Sequence, residues 1–267
     1  APPLAGEVVA FAANGCALAA ERRYLARDLN RQWTTARVAA AREIVAADAR
    51  CADPETIALA RLADALDDVL MRARGPLFAF DLHTTSAAGA AFAIVGDTDA
   101  DRAFAARFAL PGVVGLQETL EGVLGQYLGA RGCVTLAVEG GQHQSPAAAA
   151  NLEAVVTVGL AAAGVITPSA LSGLQAAHDL LVRSRDDLPQ LIEVVARHEV
   201  RPGSGFRMEP GFTNIQRTAA KTLLARENDV EIRAPFDGLL LLPLYQEQGS
   251  DGFFYGREVT SSTPTRG

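Results

Sequence analysis

An Asp-x-His pair, followed by small hydroxyl residues, is the feature of this sequence that most directly suggests chemistry. Asp81 and His83 lie near the end of the apolar run FAFDLHTTS, residues 78–86. Such a run predicts a buried strand that carries an imidazole to the carboxyl edge of a sheet, where open α/β folds place their sites. A histidine there can bind a metal while a nearby carboxylate fixes its tautomer. The plainer interpretation is a core histidine whose hydrogen bonds are satisfied.

A second candidate is the charge-dense segment RRYLARDLNR, residues 22–31, which contains Arg23, Asn30 and Arg31. Guanidinium groups bind carboxylates through paired hydrogen bonds and Asn adds a donor, so this set suits the carboxylate of an amino-acid-like ligand. An arginine aimed at a developing oxyanion would also lower the barrier to acyl transfer. The alternative interpretation is a solvated loop that forms surface salt bridges.

The third candidate is Glu139, which closes the apolar run CVTLAVE and precedes two glycines. Glycines allow a ligand or another backbone to approach closely. A carboxylate at this position suits a general base that acts on metal-bound water. An ordinary acid at a strand end is the alternative. His143 follows four residues later. It either hydrogen-bonds to the residues that form the site or is an ordinary polar residue of a loop.

Charge and cysteine content exclude several classes of protein. The chain has 267 residues and a net charge of −7, which argues against the basic patch of a nucleic-acid-binding protein. Its three cysteines are scattered, so the sequence predicts neither a disulfide framework nor a structural zinc knot. No transmembrane span or signal segment is evident, and we therefore predict a cytoplasmic protein with no membrane partner.

Strand-like and helical patterns alternate along most of the chain. The strand candidates are residues 7–13, 78–86, 91–95, 113–116 and 133–139. Asp53 and Pro54 mark the start of a well-defined helix, with Asp53 as its N-cap. This alternation predicts an α/β fold with a mostly parallel or mixed sheet and helices on both faces. We expect a catalytic domain at 1–187, a small all-β capping domain at 188–259 and a disordered tail at 260–267.

Taken together, the motifs resemble one family, the succinylglutamate desuccinylases and aspartoacylases, which are related to zinc carboxypeptidases. The resemblance rests on RYLARDLNR (23–31), DLHTTS (81–86) and VEGGQH (138–143). The C-terminal run APFDGLLLLPLYQEQGSDGFF (234–254) adds to it. These runs occur in the family's order across nearly the whole chain, so the resemblance also implies a zinc-carboxypeptidase-like fold.

The resemblance implies a role for each candidate. His83 would be a ligand of one catalytic Zn²⁺, and Glu139 would be the general base that activates water and then protonates the leaving amine. Arg23 would polarise the scissile carbonyl, while Asn30 and Arg31 would hold the substrate carboxylate. The implied reaction is hydrolysis of a small N-acyl amino acid, with the β domain capping the groove. Tyr245 and Tyr255 are candidates for an additional ligand contact.

One part of the family pattern does not occur. The family takes two further zinc ligands from an upstream His-x-x-Glu motif, and this sequence contains none. One imidazole is too few, because a catalytic zinc takes about three protein ligands. The sequence begins with Ala1, and we therefore expect that the natural protein has a preceding segment carrying the motif. The alternative is a non-catalytic relative that binds an acyl amino acid or a partner.

Other aspects of function stay open at this point. A metallocarboxypeptidase acting on short peptides is a competing enzyme hypothesis, which a groove-capping β domain disfavours. The acyl group and the amino acid of the substrate are not specified by the motifs. A homo-oligomer is possible through the apolar helical region 146–182.

Overall fold

A computed structural model describes residues 4–185, 187–201 and 203–260. Its helices are α1 Gly15–Ala19, α2 Thr35–Asp48, α3 Pro54–Arg72, α4 Asp99–Ala105, α5 Leu124–Gly129, α6 Pro146–Ala162 and α7 Leu174–Arg185. Its strands are β1 Phe78–Thr85, β2 Phe92–Val95, β3 Gly112–Val114, β4 Val134–Gln142, β5 Leu191–Glu199, β6 Arg207–Met208, β7 Gln216–Thr218, β8 Leu223–Glu227, β9 Val230–Arg233, β10 Gly238–Leu241 and β11 Asp251–Glu258.

The chain divides into two compact units. The sheet unit comprises Ala1–Gly6, Phe80–Thr119 and Leu136–Gly267. The helical unit comprises Glu7–Ala79 and Leu120–Thr135. The predicted boundary at residue 187 cuts the chain once along the sequence, whereas each of these units combines separate segments. The predicted boundary stays a prediction.

The large sheet has the strand order β1-β4-β2-β3-β5-β11-β10-β7. β3 is parallel to both β2 and β5, whereas β4 is antiparallel to β2. The C-terminal strands β11, β10 and β7 extend the sheet in antiparallel pairs. Side chains of the central strands, among them Phe92, Leu136 and Ile192, are fully buried. The predicted α/β class with a mixed sheet is confirmed.

A separate core fills the helical unit. Apolar side chains of α2, α3 and α5 pack together there, and Trp33 meets Tyr127 with ring centroids 5.2 Å apart. Helix α3 begins as predicted, because the carboxylate of Asp53 accepts a hydrogen bond from the Thr56 N–H at 2.9 Å. Pro54 occupies the first turn, where a missing N–H costs nothing.

Two predicted elements differ in the structure. Residues 7–13 form no strand, and Val8, Val9 and Phe11 are 51%, 39% and 43% exposed. An apolar run specifies a strand only where a partner strand pairs with it, and among the described residues this run pairs with none. In the predicted helical region 146–182, α6 and α7 are separated by a short 3-10 turn, Pro168–Ala170, and α7 begins after Gly173 with its positive φ of 82°.

The C-terminal third consists of short strands, as the turn-rich sequence predicts. β6, β8 and β9 form a second, three-stranded sheet. Leu224, Leu240 and Tyr255 belong to the small core beside it. Apart from Thr260, the predicted disordered tail lies outside the described residues. Within the described part of the chain, every helix is too short or too polar to cross a bilayer.

Candidate active site

His83 is held by the acid two residues before it. Its Nε2 lies 2.8 Å from Oδ1 of Asp81, and the two side chains are 34% and 20% exposed. Alternate residues of a strand project to the same face, which brings these two groups together on β1. The interpretation of a buried strand was wrong, because most of β1 is half-buried and Leu82 is 38% exposed. β1 lies at one end of the strand order and therefore pairs on one side only within the described residues.

Glu139 lies inside β4 rather than at its end, because Gly140, Gly141 and Gln142 continue the strand. The close approach that these glycines were predicted to allow is made by a helix at Gly140. A Cβ on Gly140 would lie 2.5 Å from Cγ of Leu152 and 2.8 Å from the carbonyl oxygen of Ala148. The glycine therefore permits close packing of α6 against the sheet, and the structure gives it no separate role toward a ligand.

Asp81, His83 and Glu139 share one face of two neighbouring strands. Helix α6 covers the opposite face, where a Cβ on Gly159 would meet the ring of Phe80. Because adjacent strand positions project to opposite faces, Asp81 and His83 point away from α6. The same alternation places Glu139 opposite Gly140 and thus also on the face away from α6. The structure brings these three polar groups of the sheet unit to a common face.

The described residues do not fit a catalytic zinc on their own. Across 4–185, 187–201 and 203–260, no three His, Cys, Asp or Glu side chains come together as a metal site. Tetrahedral catalytic zinc takes about three protein ligands, and His83 supplies one imidazole. Its Nε2 is already paired with Asp81.

His143 connects the end of β1 to the C-terminal loop after β10. Its Nδ1 lies 2.8 Å from the Thr84 hydroxyl, and its Nε2 lies 2.9 Å from Oε1 of Gln246. Since the Gln246 oxygen can only accept, Nε2 is the donor in the second contact. His143 therefore fastens the loop that follows β10, a role that its position in the sequence did not specify.

The hydroxyl residues after His83 bind the same loop. Ser86 donates to the carbonyl oxygen of Pro243 and accepts from the Tyr245 N–H. The buried Asn214 donates to the Thr85 hydroxyl at 2.9 Å and accepts from the Leu242 N–H at 2.7 Å. The small hydroxyl residues of the DLHTTS motif thus anchor the C-terminal strands to the end of β1.

The two tyrosines proposed as ligand contacts have different environments. Tyr255 is 0% exposed, and its hydroxyl lies 2.6 Å from that of Thr218 and donates to the carbonyl oxygen of Phe236 at 2.8 Å. It is a core residue, and its candidacy as a ligand contact was wrong. Tyr245 is 39% exposed, and its hydroxyl ties the Phe212 N–H to the carbonyl oxygen of Glu209.

Arg23, Asn30 and Arg31 lie in the helical unit, whereas His83 and Glu139 lie in the sheet unit. Nε and Nη2 of Arg23 both lie 2.9 Å from Oδ2 of Asp28. Oδ1 of Asp28 accepts from the Asn30 N–H at 3.1 Å and caps the 3-10 turn Leu29–Arg31. Asp28 therefore makes a local side-chain hydrogen bond to the backbone, as Asx residues often do at turns.

The same segment is fixed on its other side by the chain before α5. The side-chain oxygen of Asn30 accepts from the Leu124 N–H at 2.8 Å. Nη1 of Arg31 donates to the Asn30 carbonyl oxygen at 2.8 Å. Gly122 has a φ of 73°, and a Cβ there would lie 2.6 Å from the Arg31 carbonyl oxygen. These contacts give the arginine-rich segment a defined conformation, and the exposed Arg23–Asp28 pair is a surface salt bridge of the kind that the alternative interpretation predicts.

Sequence reasoning missed one buried acid in the helical unit. Glu55, in the first turn of α3, is 0% exposed, and its carboxylate accepts from the backbone N–H groups of Leu25 and Ala26 and from the Asn14 amide. In the sequence it indicates only a helix start, since acids are common in first turns. The signal that could have revealed it is an acid on the same side of α3 as the buried positions Leu59 and Ala63.

No protein-family model matches the sequence, and no curated protein matches it. Solved structures match its fold. A succinylglutamate desuccinylase from Vibrio parahaemolyticus is 14% identical with a TM-score of 0.60, over 97% of this chain and 73% of its own. A succinylglutamate desuccinylase/aspartoacylase from Rhodobacter sphaeroides is 17% identical, with a TM-score of 0.59 over 93% and 74%.

A third similar structure is murine aminoacylase 3, which is 17% identical with a TM-score of 0.51 over 92% of this chain and 82% of its own. At these identities the likeness establishes the fold alone. The chain therefore has the fold of the succinylglutamate desuccinylase and aspartoacylase structures, and the structural side of the resemblance indicated by its motifs is confirmed.

Proposed function

We propose that this protein is a hydrolase that cleaves the amide bond of a small N-acyl amino acid. The observation that carries the proposal is the coincidence of fold and motif. More than nine-tenths of the chain superimposes on structures named as desuccinylases, aspartoacylases and an aminoacylase. The same chain places Asp81, His83 and Glu139 on a common face of adjacent strands.

Glu139 is the proposed general base. Its carboxylate would take a proton from the water that attacks the acyl carbonyl carbon. It would then give that proton to the nitrogen of the leaving amine, so that the products are a carboxylate and a free amino acid. Its support is the rigid setting, because β4 pairs with β2 at Glu139 and packs against α6 through Gly140. This packing holds the proposed catalytic carboxylate in a fixed position on the strand.

The arginine-rich segment is the proposed carboxylate-binding element. Arg31 would form paired hydrogen bonds with the substrate carboxylate, and Asn30 would add a donor from Nδ2, since Oδ1 accepts from Leu124. Arg23 would stabilise the charge that develops on the carbonyl oxygen, and Asp28 fixes its orientation through two contacts. Rigid guanidinium groups favour this role because little freedom is lost on binding.

We further propose that the hydrolase depends on zinc. His83 would contribute one ligand, and the remaining ligands would come from residues other than those the structure describes. Zinc, when bound, supplies a Lewis acid that activates water near neutral pH.

The competing proposal is a non-catalytic protein that binds an acyl amino acid. One observation favours it: the His83 imidazole is already paired with Asp81, and no cluster of three metal-binding side chains occurs in the described part of the chain. Retention of the ordered arginine-rich segment would then serve binding alone.

The test uses the protein expressed from its natural start codon. Release of free amine is measured with a panel of N-acetyl and N-succinyl amino acids and with matched dipeptides, before and after chelation, alongside zinc content by elemental analysis. We expect turnover of an acyl amino acid, little with dipeptides, and about one zinc per chain. Ligand binding without amine release, even after zinc loading, would overturn the hydrolase proposal in favour of the binding protein. Preferred turnover of dipeptides would favour a carboxypeptidase.

A further inference from the structure

Glu55 is a fully buried carboxylate that contacts the backbone of the arginine-rich segment. We propose that Glu55 is a positioning residue, which holds residues 25–27 so that Arg23, Asn30 and Arg31 are presented to a carboxylate ligand. The inference rests on the proposed function of that segment, and it assigns part of the segment's affinity to a side chain that touches no ligand.

The contacts of Glu55 use both of its oxygens. Oε1 accepts from the Leu25 N–H at 2.7 Å and from Nδ2 of Asn14 at 3.1 Å, while Oε2 accepts from the Ala26 N–H at 3.0 Å. Hydrogen bonds to an ionised acceptor are about twice as strong as neutral ones. A carboxylate with three such donors is stable in a buried position, whereas an unpaired one would not be. The backbone at residues 25 and 26 is therefore firmly held.

A second acid at the start of α3 extends the attachment by one residue. Nη2 of Arg27 lies 2.7 Å from Oδ2 of Asp53, the N-cap of the helix. The next residue, Asp28, in turn fixes Arg23 and caps the turn that contains Asn30. Residues 25–27 are thus bound to the start of α3. Asp28 is bound to Arg23 and Asn30, two of the proposed ligand-binding residues. Movement at residue 25 would be transmitted to Arg23, two residues before it.

Glu55 is placed differently from an ordinary acid in a helix first turn. Such acids usually remain solvated and interact weakly with the helix dipole. Glu55 is instead 0% exposed and directed at N–H groups 29 and 30 residues away in sequence. Asn14 completes the arrangement, because its Oδ1 accepts from the Ala17 N–H of α1 while its Nδ2 donates to Glu55. One carboxylate therefore joins α1, the arginine-rich segment and α3.

Electrostatics support an ionised Glu55. Burial raises the pKa of its carboxyl, but the hydrogen bonds from Leu25, Asn14 and Ala26 outweigh burial, so the pKa lies below its usual value. The charged form is the one that accepts all of these hydrogen bonds.

The test compares the wild type with Glu55→Gln in the protein expressed from its natural start codon. Gln keeps the shape but replaces one acceptor oxygen with an NH2 group that faces a backbone donor. We expect hydrogen–deuterium exchange of the Leu25 and Ala26 amides to become about tenfold faster or more, given the strength of hydrogen bonds to charged groups. KM for an N-acyl amino acid should rise about tenfold, with a smaller change in kcat. Glu55→Asp keeps the charge on a shorter side chain, so its exchange rates and its KM should lie between those of the wild type and Glu55→Gln. It replaces Glu55→Gln in the test if the Gln variant does not fold.

Asp101→Asn is the matched control, because Asp101 is another buried acid, 4% exposed, which caps α4 in the sheet unit. It should lower the unfolding temperature without changing KM or the exchange at residues 25 and 26. Faster exchange in Glu55→Gln with an unchanged KM would make Glu55 purely structural and overturn the proposal. Unchanged exchange would overturn it as well. A wild type that neither turns over nor binds acyl amino acids would instead refute the proposed function, whatever the exchange rates are.

Discussion

The imidazole of His83 donates from Nε2 to the carboxylate of Asp81 across 2.8 Å, between two residues on the same face of one strand. A carboxylate that accepts from Nε2 favours the tautomer that carries its proton on that nitrogen. The motif DLH thereby orients its histidine within the strand.

This pairing predicts a specific NMR signature. At pH 8, the long-range ¹H–¹⁵N spectrum of the wild type should show His83 as the Nε2–H tautomer. In Asp81→Ala the same ring should shift toward a mixture of tautomers. His198, whose Nε2 lies 3.1 Å from Glu227, should keep its spectrum in both proteins. An unchanged His83 pattern in the variant would mean that Asp81 does not set the tautomer.

The close packing of α6 against β4 predicts a steric cost at Gly140. Gly140→Ala would place a methyl group 2.8 Å from the carbonyl oxygen of Ala148, and the helix backbone has to move to accommodate it. We expect the free energy of unfolding to fall by about 1–3 kcal/mol, as for other overpacked cores. Urea denaturation measures the change.

Gly129→Ala is the control for this variant, since nothing lies within 4 Å of a Cβ at that helical position. Its stability should stay the same or increase slightly, because Ala favours helices. Equal stability of Gly140→Ala and the wild type would refute the packing explanation for the glycines of VEGGQH.

Tyr255→Phe should act on stability alone. The substitution removes the buried hydroxyl that binds Thr218 and the Phe236 carbonyl oxygen, and it leaves an acceptor without its donor. The expected loss is about 1–3 kcal/mol in the free energy of unfolding. KM for the preferred substrate should be unchanged at temperatures well below unfolding. A raised KM in a stably folded variant would mean that Tyr255 does contribute to ligand binding.

Acid should remove the stabilisation that Glu55 provides. Because the pKa of its carboxyl is lowered on folding, the contribution is complete above the unfolded value of about 4.3. It is lost as the pH falls through the lower, folded-state value. The difference in unfolding free energy between the wild type and Glu55→Gln should therefore shrink below about pH 4.3. A difference that grows with acidity would contradict an ionised Glu55.

Local signals in the sequence predicted local features of the structure. The Asp53-Pro54 start of α3 was recognised because the cap and the fixed φ of proline act within one turn. The fold was predictable from the alternation of strand and helix patterns, and from motifs that occur in the same order as in the family they resemble. By contrast, residues 7–13 have the apolar pattern of a strand, and such a pattern says nothing about whether a partner strand pairs with it.

The site was predictable in residue type but less so in environment. The hydrogen bond of Asp28 to the Asn30 N–H is a local one, because an Asx side chain reaches nearby backbone groups. Glu55 was missed because its partners lie 29 to 41 residues away, a relation that no local pattern encodes. At Gly140 the sequence left a ligand and another backbone as alternatives, because it cannot distinguish a ligand from a packed helix as the reason for a missing side chain.

The most direct test of the proposed hydrolase is the rate of amine release by Glu139→Gln, in the protein expressed from its natural start codon. Glu153→Gln, an exposed acid of α6, is the matched control. We expect kcat for the preferred N-acyl amino acid to fall about 10²–10⁴-fold in Glu139→Gln, as for loss of a general base, while the control retains the wild-type rate. A kcat in Glu139→Gln equal to that of the wild type would contradict the role of Glu139 as the general base.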